Sequence, residues 1–273
     1  MKDITVSKAN FEEIIKDDFI YVDKTKFLYQ IVNSKEPYFF LSRPRRFGKT
    51  LFVDTMEKFY QGKKELFNDL YISNQDWNWE EHPIIRLDFN MIPSENREVL
   101  NKSLQKVLSK IAAKYNIDLI VEEAYYMFPD LIEKLYNKFD QDVVILIDEY
   151  DKPIISNLKS TLEENSAKLK AIDENQDYLK MLYDYLKPLE GYLEKVFITG
   201  VSKFSKLSIF STLNNLIELD QNEEFAEIMG YTEKELDEYF SPYFSKLADK
   251  NNLSITECRK TFKQMYNGFS FTE

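Results

Sequence analysis

Apolar residues along this chain gather into short dense runs, separated by stretches whose spacing is helical. PYFFLS (37–42), PIIRLDF (83–89), DVVILIDEY (142–150), KVFITG (195–200) and, more weakly, NLIELD (215–220) are read as strands. The middle three are nearly continuous in aromatic and β-branched residues, the pattern of strands covered on both faces. In TLFVDTMEKFYQG, Leu51, Phe52, Met56 and Phe59 share one helix face, and in REVLNKSLQKVLSKIAAKY so do Leu100, Leu104, Val107, Leu108 and Ile111. Strands alternating with helices in this way predict a three-layer α/β fold around a parallel sheet. Segment 153–194 is polar in its first half and is read there as a surface helix or loop; its second half predicts a helix through LKMLYDYLKPLEGYL.

Beyond Asp220 the strand signals stop. YTEKEL (231–236) and SITE (254–257) each carry a capping box, with Thr232 or Ser254 as N-cap and Glu235 or Glu257 three residues on. The expected division is therefore a core over 1–222 and a small helical unit over 223–273. The end, MYNGFSFTE, follows a turn-like Asn267-Gly268 without a clear stop signal, so the chain is expected to be part of something longer.

Composition narrows the chemistry. The 273 residues are 44% hydrophobic and 30% charged, ordinary for a globular chain with a sizeable core. A formal net charge of -11 argues against a general electrostatic grip on nucleic acid. Cys258 is the lone cysteine and His82 the lone histidine, which removes disulfide frameworks, cysteine-rich zinc sites and Ser-His-Asp chemistry. The start lacks an apolar signal region and no run of ~18 apolar residues occurs, so no membrane span and a cytoplasmic location are expected. The 18 Tyr and 21 Phe are read as packing groups rather than base-stacking platforms.

Two segments carry candidate chemistry. In SRPRRFGKT (42–50), Gly48-Lys49-Thr50 stands between a predicted strand and a predicted helix. That setting suits an anion, because N–H groups and the helix dipole at a helix N-terminus face it. Lys49 then pairs with β/γ-phosphates and the Thr50 hydroxyl ligates Mg2+. The common pattern G-x-x-x-x-G-K-[ST] would put glycine where this chain has Arg43. In VVILIDEYD (143–151) an apolar strand delivers two carboxylates at its carboxyl end, where α/β sheets place ligands. Asp148 fits a Mg2+ holder and Glu149 a base that polarises water. Alone, either segment also reads as ordinary surface structure; together and in this order they predict a nucleotide site. Thr199 closes VFIT, beside the carboxylate strand if the sheet is wound in the usual manner, and either meets the γ-phosphate and water or simply ends a strand at Gly200. Lys203 and Lys206 either face an anion or are solvated.

The ordered set YVDKT (21–25), SRPRRFGKT, IRLDF (85–89), VVILIDEYD, FITGVSKFSKLSIFSTLNNL (197–216), GYTEKEL (230–236) and YNGFSF (266–271) resembles the bacterial and archaeal AAA-ATPase-like family whose P-loop reads RPRRFGK[ST]. The resemblance spans the chain. It implies a P-loop NTPase core of the additional-strand class followed by a helical lid, and makes Arg43 typical of its kind. Full-length members often continue into a PD-(D/E)XK nuclease-like domain, which these residues do not include. Expected nucleotide contacts are Arg43, Arg45, Arg46, Phe47, Gly48, Lys49, Thr50 and Leu51. Expected catalytic groups are Lys49, Glu149 and Thr199, and expected Mg2+ ligands Thr50 and Asp148.

Several roles stay open. Each arginine either bonds phosphate or braces the loop against Asp23, Asp88 or Asp148, whereas Phe47 is expected to pack. Asp23 and Lys24 either line the nucleotide or are structural, with Thr25 capping the helix TKFLYQIV. Asp88 is placed near the Mg2+ shell or in a pair with an arginine. The function expected is Mg-ATP binding with hydrolysis. The alternatives are a nucleotide-gated regulatory module, or the ATPase part of a DNA-acting protein. The partners expected are the nucleotide, a nuclease-like domain or partner protein, and further copies of the chain.

Overall fold

The computed structural model describes residues 1–5, 8–158, 166–203 and 209–266. The expected turn at Asn267-Gly268 and Lys206 lie outside the described residues. In chain order the elements are α1 (Phe11–Lys16), α2 (Thr25–Val32), β1 (Tyr38–Ser42), α3 (Lys49–Tyr60), β2 (Ile84–Asp88), α4 (Arg97–Lys114), α5 (Ala124–Phe139), β3 (Val143–Asp148), α6 (Lys152–Leu158), α7 (Ser166–Tyr183), β4 (Leu193–Gly200), β5 (Ile217–Glu218), α8 (Glu233–Asn251) and α9 (Ile255–Tyr266). All five runs read as strands form strands, and they pair in parallel in the order β2-β3-β4-β1-β5.

Three layers follow from strand alternation. On one face Phe40, Leu87, Ile145, Ile147 and Ile198 pack against Leu104 of α4, Leu131 of α5 and Leu179 of α7. On the other face Phe39, Leu41, Leu146 and Phe197 meet Leu28 of α2 and Phe52 and Met56 of α3. Successive strand residues point to opposite faces, so near-continuous apolarity is what a sheet covered twice requires.

The segment after β3 departs from expectation. The α-helix runs over Ser166–Tyr183 and takes in only the start, LKMLY, of LKMLYDYLKPLEGYL, whose remainder breaks into short 3-10 turns at Asp184–Leu186 and Glu190–Tyr192. Pro188 offers no N–H and its ring blocks a continuing α-helix. Upstream, Ala171, Ile172, Tyr178, Leu179, Leu182 and Tyr183 are buried, a helical stripe whose middle position is the buried Asn175. That asparagine interrupts the apolar signal, and its Nδ2 donates to Ser94 O (2.8 Å) and Pro153 O (3.2 Å).

Both capping boxes form. Thr232 and Glu235 exchange side-chain bonds with each other's N–H at the start of α8, and Ser254 and Glu257 do so before α9. The two helices share a small core of Phe244, Ala248 and Cys258. Lys24 ties this pair to the main body by donating to Glu235 Oε1 at 2.6 Å and Glu227 O at 2.8 Å.

The segment YVDKT is structural. Thr25 does not cap α2; Asp23 Oδ1 accepts from Thr25 N (2.8 Å) and Thr25 Oγ1 (2.7 Å), while its Oδ2 accepts from Tyr71 N (2.6 Å). The carboxylate two residues earlier reaches the free N–H groups better than the shorter hydroxyl.

Candidate functional site

The loop between β1 and α3 is shaped by two left-handed residues. Gly48, the N-cap of α3, has φ 95° and Arg46 has φ 68°. A side chain at Gly48 would find room, its Cβ lying 3.8 Å from Met229 Sδ, so the requirement for glycine is conformational. Left-handed residues interleaved with ordinary ones turn successive N–H groups toward one concavity, the geometry of an anion nest. Phe47 lies against Met229 and Gly230, and its carbonyl accepts from Gly230 N at 3.4 Å. It therefore packs, as expected. Leu51 packs in the same cluster.

Arg43 needs no positive φ. Its N–H donates to Gly200 O at 3.2 Å, extending the β1–β4 ladder by one bond, and its side chain turns inward, 2% exposed. Its Nη1 donates to Ser42 O at 3.0 Å. Burial lowers its pKa from the ordinary arginine value, opposed by the charge of Asp220. Arg45 and Arg46, by contrast, are exposed and form no ion pair among the described residues.

Lys49 points under its own loop. Its Nζ donates to Arg43 O (2.9 Å) and Pro44 O (3.2 Å) and stands 3.2 Å from Glu149 Oε1, with its side chain only 3% exposed. Residues 100 positions apart in sequence thus meet at the carboxyl ends of β1 and β3. Glu149 has φ 55°, an uncommon state for a residue with a side chain. Beside it, Thr199 Oγ1 donates to Asp148 Oδ1 at 2.5 Å and accepts from Glu149 N at 3.4 Å. Thr199 does lie beside the carboxylate strand, because β4 sits between β1 and β3.

Asp148 is fully buried, and its Oδ2 has no hydrogen-bond donor among the described residues. Asp88 is paired in register with Asp148 across β2 and β3. Burial first, and then the neighbouring Asp148 charge, raise its pKa, while its Oδ1 accepts from Asn90 N at 2.9 Å. The arginine on that strand, Arg86, pairs instead with Asp54 (2.7 Å) and Glu57 (2.5 Å) on α3. The loop arginines make no ion pair with Asp23, Asp88 or Asp148 among the described residues.

Sequence reading overlooked two carboxylates that organise the surroundings. Asp151, buried, accepts from Val201 N (3.1 Å) and Ser202 N (2.7 Å), which pins the turn after β3 to the end of β4. Asp220, after β5, accepts from Ser42 Oγ at 3.0 Å and pairs with Lys203 at 2.5 Å, so Lys203 is neither solvated alone nor aimed at an outside anion. An Asp just past each strand end was the available signal in both cases. Thr50 follows Lys49 in the first turn of α3 and is half-buried.

No solved structure matches this chain. A curated relative, "Uncharacterized protein in vnfD 5'region" from Azotobacter chroococcum mcd 1, is 34% identical over 257 residues, covering 94% of this chain and 46% of the relative. The chain thus spans about half the length of the curated relative it matches. The family model described as "Predicted AAA-ATPase" matches residues 5–210. That stretch includes the β1–α3 loop and the ends of β3 and β4, and by covering well over half of the sequence it places this chain in the AAA-ATPase-like family.

Proposed function

We propose that this chain binds ATP with Mg2+ and hydrolyses its γ-phosphate, as a P-loop NTPase core of the additional-strand class with α8 and α9 as its lid. The observation that carries the reading is the meeting of Lys49 with Glu149 at 3.2 Å, beside the Thr199–Asp148 bond. A lysine at a helix N-terminus, a carboxylate base and a buried aspartate are the parts phosphoryl transfer needs. The residues present fit the metal: Asp148 Oδ2 is a buried charged oxygen with no donor among the described residues, the state of an atom kept for a cation. Asp148 and Thr50 would hold Mg2+, which when bound neutralises charge on the phosphate oxygens.

The chain's own groups do the rest. Backbone N–H groups from Arg46 to Thr50 cradle phosphate oxygens at the α3 N-terminus. Lys49 transfers one of its donors from Glu149 to a β/γ-phosphate oxygen, freeing Glu149 to accept a proton from the attacking water. Water oxygen bonds to the γ-phosphorus as the bond to the ADP oxygen breaks, giving ADP and inorganic phosphate. Thr199 holds Asp148 and the start of the 149–151 turn. Exposed Arg45 and Arg46 add cations beside the phosphates, whereas buried Arg43 braces the loop entry.

Calorimetry with Mg-ATP tests the reading directly: absence of binding by the wild-type chain defeats it. Lys49→Ala should lose binding, and Glu149→Gln should bind Mg-ATP yet release no phosphate. Loss of binding in Glu149→Gln would contradict the role given to that carboxylate. A second reading is a nucleotide-gated module without turnover, in which Lys49 keeps Glu149 engaged after nucleotide binds. Bound Mg-ATP with background phosphate release from the wild type would select it.

A further inference from the structure

We propose that Asp220 is a positioning residue for the nucleotide loop, doing for this glycine-poor P-loop entry what a tight glycine turn does elsewhere. The inference rests on the nucleotide reading above. β1, which leads into the loop, is flanked by β5 on one side and β4 on the other. Its register sets Phe40 opposite Glu218 and Ser42 opposite Gly200. Asp220 therefore emerges level with Ser42 on one flank, and Lys203 just beyond Gly200 on the other. The two meet across the end of β1 at 2.5 Å, and Ser42 Oγ bonds the same Asp220 oxygen at 3.0 Å. Lys203 also lies 3.8 Å from Glu218 Oε2.

The next residue is Arg43, whose side chain is buried where the common loop has no side chain at all. A guanidinium that deep requires an opposite charge nearby, because desolvation otherwise outweighs its bonds to backbone oxygens. The charge of Asp220 opposes the lowering of the Arg43 pKa by burial. Asp220 itself is 4% exposed, whereas Lys203 is 43% exposed. One buried anion thus joins Ser42 and Lys203, beside the start of the loop at Arg43, so both neighbouring strands fix the direction in which the chain leaves β1. Lys49 bonds the carbonyls of Arg43 and Pro44, so a shift of this entry moves the phosphate-facing lysine too.

A double-mutant cycle on Asp220 and Arg43 is the test, read by calorimetric Kd for Mg-ATPγS and by steady-state hydrolysis. Asp220→Asn should raise Kd about tenfold, below the ~100-fold attached to a 1 Å misplacement, and KM should rise by more than kcat falls. In an Arg43→Met background the same substitution should cost much less, since the buried cation is gone. Asp220→Glu should recover part of the affinity. Wild-type binding with Kd unmoved by Asp220→Asn overturns the inference and leaves the nucleotide reading standing. An equal effect with and without Arg43 overturns it as well. If the wild type binds no Mg-ATP, both ideas fall together. Should Asp220→Asn not fold, Ser42→Ala and Lys203→Met replace it; each should weaken binding severalfold, and no change in either defeats the inference.

Discussion

Gly200→Ala is a single-methyl perturbation whose consequence can be worked out from contacts. A Cβ at Gly200 would lie 2.4 Å from Tyr150 Cε1, 2.6 Å from Tyr150 Cδ1 and 3.0 Å from Asp151 Oδ1. Ordinary contact begins at 3.4 Å, so the ring must retreat by about 1 Å. It has little room to do so. Tyr150 is fully buried, edge-on to Phe40 at 5.5 Å and tilted on Phe210 at 5.2 Å, and its hydroxyl donates to Ser202 O at 2.7 Å. Asp151 is held by the N–H groups of Val201 and Ser202. Overpacking of a tight core costs about 1–3 kcal/mol, and two rigid neighbours put this site near 3. The strain lands on the turn that carries Glu149, where ~1 Å of misplacement costs on the order of 100-fold in rate. Urea unfolding should show a lower midpoint with an unchanged m value, and phosphate release should fall by at least about tenfold. A midpoint equivalent to less than about 0.5 kcal/mol of destabilisation, the range of neutral surface changes, would refute the packing argument whatever the enzyme assay shows.

Other consequences are checked more quickly. Arg86→Met leaves Asp54 and Glu57 facing each other without their cation on the α3 side of the sheet. Chemical unfolding should show a loss of about 3 kcal/mol, the low end for a broken buried pair because Arg86 keeps 21% exposure. Thr199→Val removes the donor to Asp148 Oδ1 and should cost about 1–3 kcal/mol for a buried unpaired acceptor; an unchanged urea midpoint would contradict this. Glu12, held down to about 2 chiefly by its bonds to Lys16 and Lys63, has an unfolded pKa near 4.5. Its lowered pKa gives stability that is present above 4.5 and lost as pH falls toward 2, worth about 1 kcal/mol after solvent screening. Lys63→Met should therefore lower stability at neutral pH and flatten the acid limb between these values, followed by circular dichroism.

Much of the fold was legible because it depends on local periodicity. Five dense apolar runs became five strands, and two capping boxes became two helix starts, since both signals are written within a few neighbouring residues. The candidate carboxylates and Lys49 were legible for the same reason: each ends or begins an element. Reading failed where a buried polar group interrupted the pattern. Asn175 hid the true extent of α7, and a proline ended it earlier than its apolar residues suggested.

The sequence by itself determined which residues lie at strand ends and therefore which side chains were candidates for phosphate and metal. Tertiary structure decided their partners. Placing β4 between β1 and β3 put Thr199 on Asp148, and the parallel register carried Asp220 and Lys203 to either side of Ser42. It also turned Arg43 inward while leaving Arg45 and Arg46 in solvent. The physical reason is that charge–charge pairing is a long-range choice among many carboxylates. With 47 acidic residues available, no local pattern states which one a side chain at the end of a strand will meet. Only the stacking of strands in space brings Asp220 to Ser42 and Lys203.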